Sequence, residues 1–597
     1  MSHRFLIAMT TVGLLTACAP RPSPVPAATS IVNPVESKPS CPGAGPGLSQ
    51  VYWGDLHVHT AYSLDAFSYG TLATPKEAFR FAKGEKLKLM HDEFQLDRPL
   101  DFLAVTDHAE WFDVMYTCTD PMMSTHPYCV KLRQNSSPET GGTIFRDFVN
   151  PTITEAKPAR ADICAENPDQ CDTSRASQWL RVQDQANDAN DPCAFTAFIG
   201  FEWSATPSYS HTHRNVIFEN DKVTPTAIDY IRFPQVAQLW EQLDAGCRAT
   251  DGCDAITLPH NNNFGDGQSF DVETESDRTL MLRTRYERLM EIVQEKGASE
   301  CLAPFGERQG TNTDCAFEQY IVSRSRPKDL SDFTQDEWER MRGSYARGLL
   351  GRGLAAYDAS GNRQQNPLQL GFVGSTDSHT GLGGYVEEDQ WQGSVFGMGN
   401  LERTMSRLGF NPGGLVAIWA PENTRESLFS ALKRREVYAT SGPRITVRFD
   451  AIEGGGKIAC EKSGIMSAAE GATPMGGTLP GGVGAPQFRI HAAADKHSLS
   501  KIEIVRGTFS GGATKEDVVT VWQPIQSATQ VCTVWADNDF NASTPTFWYA
   551  RILEEPTPRW SSFKCKEAGR CDEFPGADQM IQERAWASPI WYLPPTQ

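Results

Sequence analysis

Histidines and carboxylates recur along this chain in short motifs that close apolar runs: His57-Val-His59 with Asp65, Asp107-His108, Glu202, His260 and Asp377-Ser-His379. Neutral imidazole and carboxylate oxygen together suit borderline to hard divalent ions such as zinc, manganese or iron(II). No cysteine lies inside the motifs, which argues against a structural zinc of the finger type. Gathered at one place, these ligands would build a multinuclear site able to activate water against an ester. The chemistry they imply is metal-dependent hydrolysis.

The motifs need elements that bring them together. Pro99–Val105 precedes Thr106-Asp107-His108, Ala194–Ile199 precedes Gly200-Phe-Glu202, Ala255–Leu258 precedes Pro259-His260, and Leu368–Val373 precedes Gly374-Ser-Thr-Asp377. Short apolar runs closed by turn residues predict parallel strands covered on both faces, and barrel-type α/β folds carry their chemistry at the carboxyl ends of such strands. On an extended strand residues i and i+2 point to the same side, so His57 with His59, and Asp377 with His379, can each aim two side chains at one centre.

Gly54-Asp-Leu-His57-Val-His59-Thr-Ala-Tyr-Ser-Leu-Asp65, Val105-Thr-Asp-His108, Gly200-Phe-Glu202 and Ser375-Thr-Asp377-Ser-His379 resemble the ordered motifs of the PHP (polymerase and histidinol phosphatase) superfamily of metal-dependent phosphoesterases. Phe201-Glu-Trp203, Thr212-His-Arg-Asn215, Leu258-Pro-His-Asn261 and Arg435–Gly442 resemble a large bacterial branch of it known as a domain of unknown function. The resemblance implies a distorted seven-stranded β/α barrel over about residues 49–445, holding two or three divalent ions. By it, His57, His59, Glu202 and Asp377 hold one ion, Glu202 bridges to a second held by His213 and His260, and Asp65, His108 and His379 hold a third. Tyr209-Ser-His211-Thr-His213 offers two histidines. The Arg-Asn-Val that follows matches the branch pattern and favours His213, with His211 the alternative. Asp107 is expected to orient the His108 ring, as carboxylates do for metal-bound imidazoles. Arg214, adjacent to His213, is expected to clamp an anionic oxygen of the substrate.

Composition bounds the remainder. The chain has 597 residues and a formal net charge of −19, with no basic stripe, which disfavours nucleic-acid binding through phosphate contacts. Met1–Arg4 and the apolar Phe5–Leu15 form an export signal too short to span as a mature transmembrane helix. Leu15-Thr-Ala-Cys18 resembles a bacterial lipobox, implying a lipidated Cys18 that anchors the protein in the cell envelope. Residues 1–18 are then the signal and the Pro-rich residues 19–48 a flexible tether. Setting Cys18 aside, 14 of the 15 cysteines remain, enough for seven disulfides in an oxidising compartment. Close spacing pairs Cys118 with Cys129, Cys164 with Cys171, Cys247 with Cys253, Cys301 with Cys315 and Cys565 with Cys571, and elimination leaves Cys460 with Cys532 and Cys41 with Cys193.

The intervals 112–192 and 262–366 are longer than a strand-helix repeat requires and are expected to wall the pocket. Within them Asp336–Leu350 predicts one helix, with Arg342 and Arg347 on a solvated face. His91, His126, His491 and His497 are read as solvated or structural. Past residue 445, Gly-rich turns alternate with the strand-like Phe488–Ala492, Ile502–Val505, Val518–Trp522 and Phe547–Ile552, which predicts a β-sandwich-like accessory domain over 446–597 with aromatic side chains in its core. The reading is an envelope-anchored metallohydrolase acting on a small-molecule or envelope-derived ester, with phosphate esters foremost. Another ester, an amide or a sulfate ester, or a non-catalytic metal-binding surface lipoprotein, are its alternatives. Oligomeric state is not legible in the sequence.

Overall fold

The apolar runs form strands, of which Phe102–Ala104, Thr196–Phe198 and Gly371–Gly374 are shorter than the runs that announce them and Ala255–Pro259 one residue longer. The computed structural model describes residues 41–42 and 49–595, apart from 91, 155–156, 307–314, 324–325, 328–329, 360–365, 455, 457, 461–468 and 482–483. The signal, Cys18 and almost all of the tether therefore lie outside the described residues, as does His91. The fold mixes α and β. β1 (Gln50–Asp55), β2 (Phe102–Ala104) and β3 (Thr196–Phe198) run parallel, Gly54 opposite Phe102 and Leu103 opposite Ala197. β2 and β3 are buried at every position, as strands covered on both faces must be.

The all-parallel expectation fails at the next elements. β4 (Gly200–Trp203), β5 (Arg214–Phe218) and β6 (Ala255–Pro259) form an antiparallel ladder of their own. The connection between β4 and β5 is shorter than the dozen or so residues that a parallel crossover needs. β7 (Leu289–Gln294) and β8 (Gly371–Gly374) return to parallel pairing, while β9 (Leu415–Ala420) runs antiparallel to β1, and β10 (Val437–Thr440) antiparallel to β9. The site-bearing strands are thus divided among several sheets, and single bridges from Val58 to Ser378 and from His108 to Glu202 join the motif loops. Gly374 permits the close approach that ends β8: a Cβ there would lie 2.8 Å from the Leu415 carbonyl oxygen and 2.9 Å from that of Thr440. Asp377 follows three residues later.

The first long interval folds mainly as helices, the longest Pro168–Ala189. In the second, the single helix expected over 336–350 is two, Gln335–Arg342 and Ala346–Ala359, with Gly343 ending the first. All seven expected disulfides are present.

Beyond β10, β11 (Thr446–Ile452), β12 (Gln487–Ala493), β13 (Leu499–Ser510), β14 (Ala513–Trp522), β15 (Gln530–Ala536), β16 (Thr546–Glu554), β17 (Arg584–Ala587) and β18 (Ile590–Tyr592) make two largely antiparallel sheets. Phe449, Phe488, Ile490, Ile504, Trp548 and Ile552 from both sheets share one core, the Phe488 and Trp548 rings 5.1 Å apart. One of these sheets continues the β1 sheet, because β17 pairs with β10, Tyr438 opposite Ala587. The boundary expected at 445/446 is therefore crossed by hydrogen-bonded strands, and residues 39–597 form one compact unit.

A buried ion cluster ties the second interval to that sheet. Glu300 accepts from Arg347 at 2.8 Å, Arg551 at 3.0 Å, the Tyr549 hydroxyl at 2.7 Å and the Trp586 indole at 2.7 Å. Arg347 is accordingly buried, not on a solvated helix face. Burial opposes ionisation of Glu300, yet the arginines hold its carboxyl below the usual range. Glu300→Ala would leave two buried guanidinium groups without this carboxylate, so urea titration should show a loss of about 3–5 kcal/mol of unfolding free energy.

Candidate metal centre

His57 and His59 leave β1 just after Asp55, whose buried carboxylate accepts from His57 N at 3.1 Å, Thr376 Oγ1 at 2.6 Å and Gly384 N at 3.0 Å. That carboxylate, pushed up to about 6 by burial, staples the loop after β1 to the loop after β8. The two loops then interleave: Asp377 N donates to His57 O and His59 N to Ser378 O, both at 2.9 Å. Asp377 takes a left-handed backbone, φ 55°, a strained conformation of the kind that persists where surrounding structure fixes it. Glu202 comes from β4, His213 from the residue before β5, His260 from the end of β6, and Asp65 from the short helix Leu64–Ser68.

Four donor atoms crowd together at the centre. His57 Nε2 is 3.1 Å from His59 Nε2, 3.4 Å from Glu202 Oε2 and 3.2 Å from Asp377 Oδ1. His59 Nε2 is 3.2 Å from Glu202 Oε2 and 3.3 Å from Asp377 Oδ1. Two donors that share a cation at tetrahedral bonds of about 2.0 Å lie about 3.3 Å apart, the size of these five separations. Glu202 turns its other oxygen, Oε1, to His213 Nδ1 at 2.6 Å and His260 Nε2 at 3.2 Å. A third group forms at Asp65 Oδ2, 3.1 Å from His108 Nε2 and 3.0 Å from His379 Nε2. The His59 ring is stacked on both, its centroid 4.4 Å from His108 and 4.1 Å from His379. The nine residues read from the sequence as ligands thus come together, and those grouped closely enough to hold an ion are His57, His59 and Glu202, Glu202, His213 and His260, and His59, His108 and His379, with Asp377 and Asp65 beside them. Of the two histidines before β5, it is His213 that reaches Glu202.

The ring orientations follow from what each Nδ1 meets. His57 Nδ1 lies 3.3 Å from both oxygens of Glu291, His59 Nδ1 2.9 Å from Ser63 Oγ, His108 Nδ1 2.5 Å from Ser204 Oγ, His260 Nδ1 3.2 Å from the Leu258 carbonyl and His379 Nδ1 2.8 Å from that of Asp377. An Nδ1 that donates outward leaves Nε2 with its lone pair toward the centre, the arrangement in which outer partners orient metal-bound imidazoles. His213 is turned the other way, its Nε2 2.7 Å from Thr206 Oγ1.

The charge balance fits the same group. Asp65, Glu202, Glu291, Glu295 and Asp377 are all buried, and among the described residues Lys296, which donates to Asp377 Oδ2, is the one lysine or arginine paired with any of them. Burial would raise Glu202, but His108, His260 and His213 hold it well below the usual carboxylate range. Glu291 is pushed well above that range by burial and by Asp377. A buried carboxylate costs several kcal/mol unless it is neutralised, so this donor set calls for cations and suits divalent ones.

Two sequence expectations are corrected. Asp107 does not touch the His108 ring. Its carboxylate accepts from Thr60 N at 2.6 Å, Thr60 Oγ1 at 2.7 Å and Ser63 Oγ at 2.8 Å, so through Ser63 it fixes His59. Neighbours on an extended chain point to opposite sides, which is why adjacency misleads here. The same holds for Arg214, which is buried opposite His213: Nε meets Glu287 Oε2 at 3.2 Å, and Nη1 and Nη2 donate to the Thr212 and Ser269 carbonyls. Each of its three nitrogens is engaged inside the fold, and it is no oxyanion clamp. The sequence reading missed Glu291, Glu295 and Lys296 altogether. A carboxylate inside the apolar Leu289-Met-Glu-Ile-Val293 was the available signal for the first.

A family model described as "Protein of unknown function (DUF3604)" matches residues 47–530 and 522–594. No curated protein matches the chain. A solved two-domain protein from Bacteroides vulgatus, containing a predicted PHP-like metal-dependent phosphoesterase, is 10% identical over 85% of this chain and 92% of its own, with a TM-score of 0.29.

Because Glu291 orients His57 without reaching the centre, Glu291→Gln should weaken metal retention about 10- to 100-fold. Competition against a graded chelator series measures it.

Proposed function

The chain belongs to the family described as "Protein of unknown function (DUF3604)", and from its centre we propose that it is a metal-dependent hydrolase acting on phosphate esters. The observation that carries this is the division of the Glu202 carboxylate, Oε2 toward His57 and His59 and Oε1 toward His213 and His260, so that Glu202 would help to hold a cation with each pair of histidines. The resemblance of the ordered motifs to the PHP superfamily supports the same reading, including its barrel and its two or three ions of zinc, manganese or iron(II). Divalent ions held there would supply Lewis acidity toward a phosphoryl oxygen and acidify a water enough to attack near neutral pH.

The chain's own residues supply the rest. His57, His59, Glu202 and Asp377 would hold one cation, Glu202, His213 and His260 a second, and Asp65, His108 and His379 a third. Lys296 pairs its ammonium with Asp377 Oδ2 and keeps a 14% exposed side chain. There it can meet the negative charge that grows on a phosphoryl oxygen, in a setting where fixed charge acts strongly. Asp107 and Ser63 hold His59, and Glu110 holds Ser204 through its backbone N–H at 3.0 Å, so the ligands meet substrate without rearrangement.

We place the activity in an oxidising compartment of the cell envelope, with the membrane reached through a lipidated Cys18 and a small-molecule or envelope-derived ester as substrate. The seven disulfides support this compartment. Cys18→Ser should move the protein from the detergent phase to the aqueous phase of a Triton X-114 separation while it stays active.

Protein expressed with ample metal should carry two or three transition-metal ions per chain by elemental analysis, and lose phosphoesterase activity on chelation. Asp377→Asn should lower kcat/KM by more than the roughly 10- to 100-fold that loss of a supporting group costs. Phosphomonoesters, phosphodiesters, carboxylesters and sulfate esters assayed in parallel decide the substrate class: turnover confined to the last two would overturn the phosphoesterase reading.

A further inference from the structure

The guanidinium of Arg214 is turned away from the centre, but another lies one aromatic ring from His379. Aromatic rings run in an arc from one edge of the centre to the other. The His379 ring centroid lies 6.1 Å from Phe396, Phe396 5.9 Å from Phe410, Phe410 5.5 Å from Tyr320, Tyr320 5.5 Å from Phe264, Phe264 5.6 Å from His211, and His211 4.8 Å from His213. Tyr69 joins at Phe396, 4.8 Å away. The arc therefore begins at a residue of the Asp65 group and ends at a residue of the Glu202 group. Phe396, Tyr320, Tyr69 and His211 are each partly exposed, while Phe264 and Phe410 behind them are buried.

Arg407 sits on this arc. Its guanidinium carbon is 5.2 Å from the Phe396 centroid and 6.0 Å from that of Phe410. The residue is exposed, and through Phe396 it is one ring removed from His379 of the third ligand group. Among the described residues no carboxylate pairs with it and no oxygen accepts from its side chain, whereas Arg403 and Arg570 nearby are paired with Glu139 and Glu402. A guanidinium laid on aromatic faces keeps its in-plane N–H donors free for a planar anion.

We propose that Arg407 and this aromatic arc form a substrate subsite for a flat or apolar organic group carrying a negative charge of its own, attached to the ester that the metal centre cleaves. The subsite rests on the hydrolase reading for its purpose but not for its binding. The rings would cover the apolar part, and Arg407 would pair with the remote anion. The phosphoryl group is left to the metals and Lys296.

Phenylphosphonate and 4-carboxyphenylphosphonate, which cannot be hydrolysed as esters, test it by calorimetry on the metal-loaded protein. The carboxylated probe should bind about 10-fold tighter, the scale of one charge-assisted contact. That preference should fall to about 1 in Arg407→Gln and persist in part in Arg407→Lys, at unchanged metal content. Equal affinity in the wild type, no binding of the carboxylated probe, or a preference that survives in Arg407→Gln would overturn the subsite. Binding with the expected preference, but without turnover of 4-carboxyphenyl phosphate, would leave the subsite standing and sink the phosphoesterase reading alone.

Discussion

Five buried carboxylates around one lysine impose the constraint on which the centre is built. Asp65, Glu202, Glu291, Glu295 and Asp377 are all removed from water, and such groups are tolerated only when cations or protons neutralise them. Imidazole lone pairs aimed at the same points make metal cations the better answer than protons. A proton on His57 Nε2 and another on His59 Nε2 would face each other across 3.1 Å. His57 and His59 would hold a cation there in place of that repulsion, and much of the surrounding architecture serves to keep these atoms where they are.

That service is done by polar groups one step out. Glu291, Ser63, Ser204 and two backbone carbonyls take up the outward Nδ1 positions, and Asp55 locks the first and last motif loops together. Each of these is itself buried and held, so the ligand rings have little freedom to lose on binding. The left-handed Asp377 fits this picture: local backbone strain is carried at the point where the loop must aim its carboxylate, and the hydrogen bond to His57 O secures it.

The carboxyl-terminal strands belong to the same construction. β17 extends the sheet through β10, and Arg551, Tyr549 and Trp586 close around Glu300 from the second interval. Lys296 lies just upstream of Glu300 on the same stretch of chain, so the segment that carries the centre's cation is anchored by the carboxyl-terminal sheet. The aromatic residues of that region are spent on packing: Trp548, Trp586 and Trp591 are fully buried, while the rings that face the mouth come from the intervals between motifs.

The sequence alone determined which chemistry was possible. Residue types suit a metal class, i and i+2 spacing sets the direction of paired side chains, and apolar runs place strands, so most strands and all seven cysteine pairs were legible, while the grouping of the nine candidate ligands came from the resemblance of the ordered motifs to the PHP superfamily. What it could not determine was which groups meet across long separations. Arg214 is claimed by Glu287, 73 residues away, Asp107 by Thr60 and Ser63, and Asp377 by Lys296, 81 residues away. Local pattern fixes where a side chain points relative to its neighbours in the chain. Which face meets the site, which partner satisfies a buried charge and whether β4 runs parallel or antiparallel are settled only when the elements pack, because burial and pairing energies exist only between surfaces that tertiary structure has brought together.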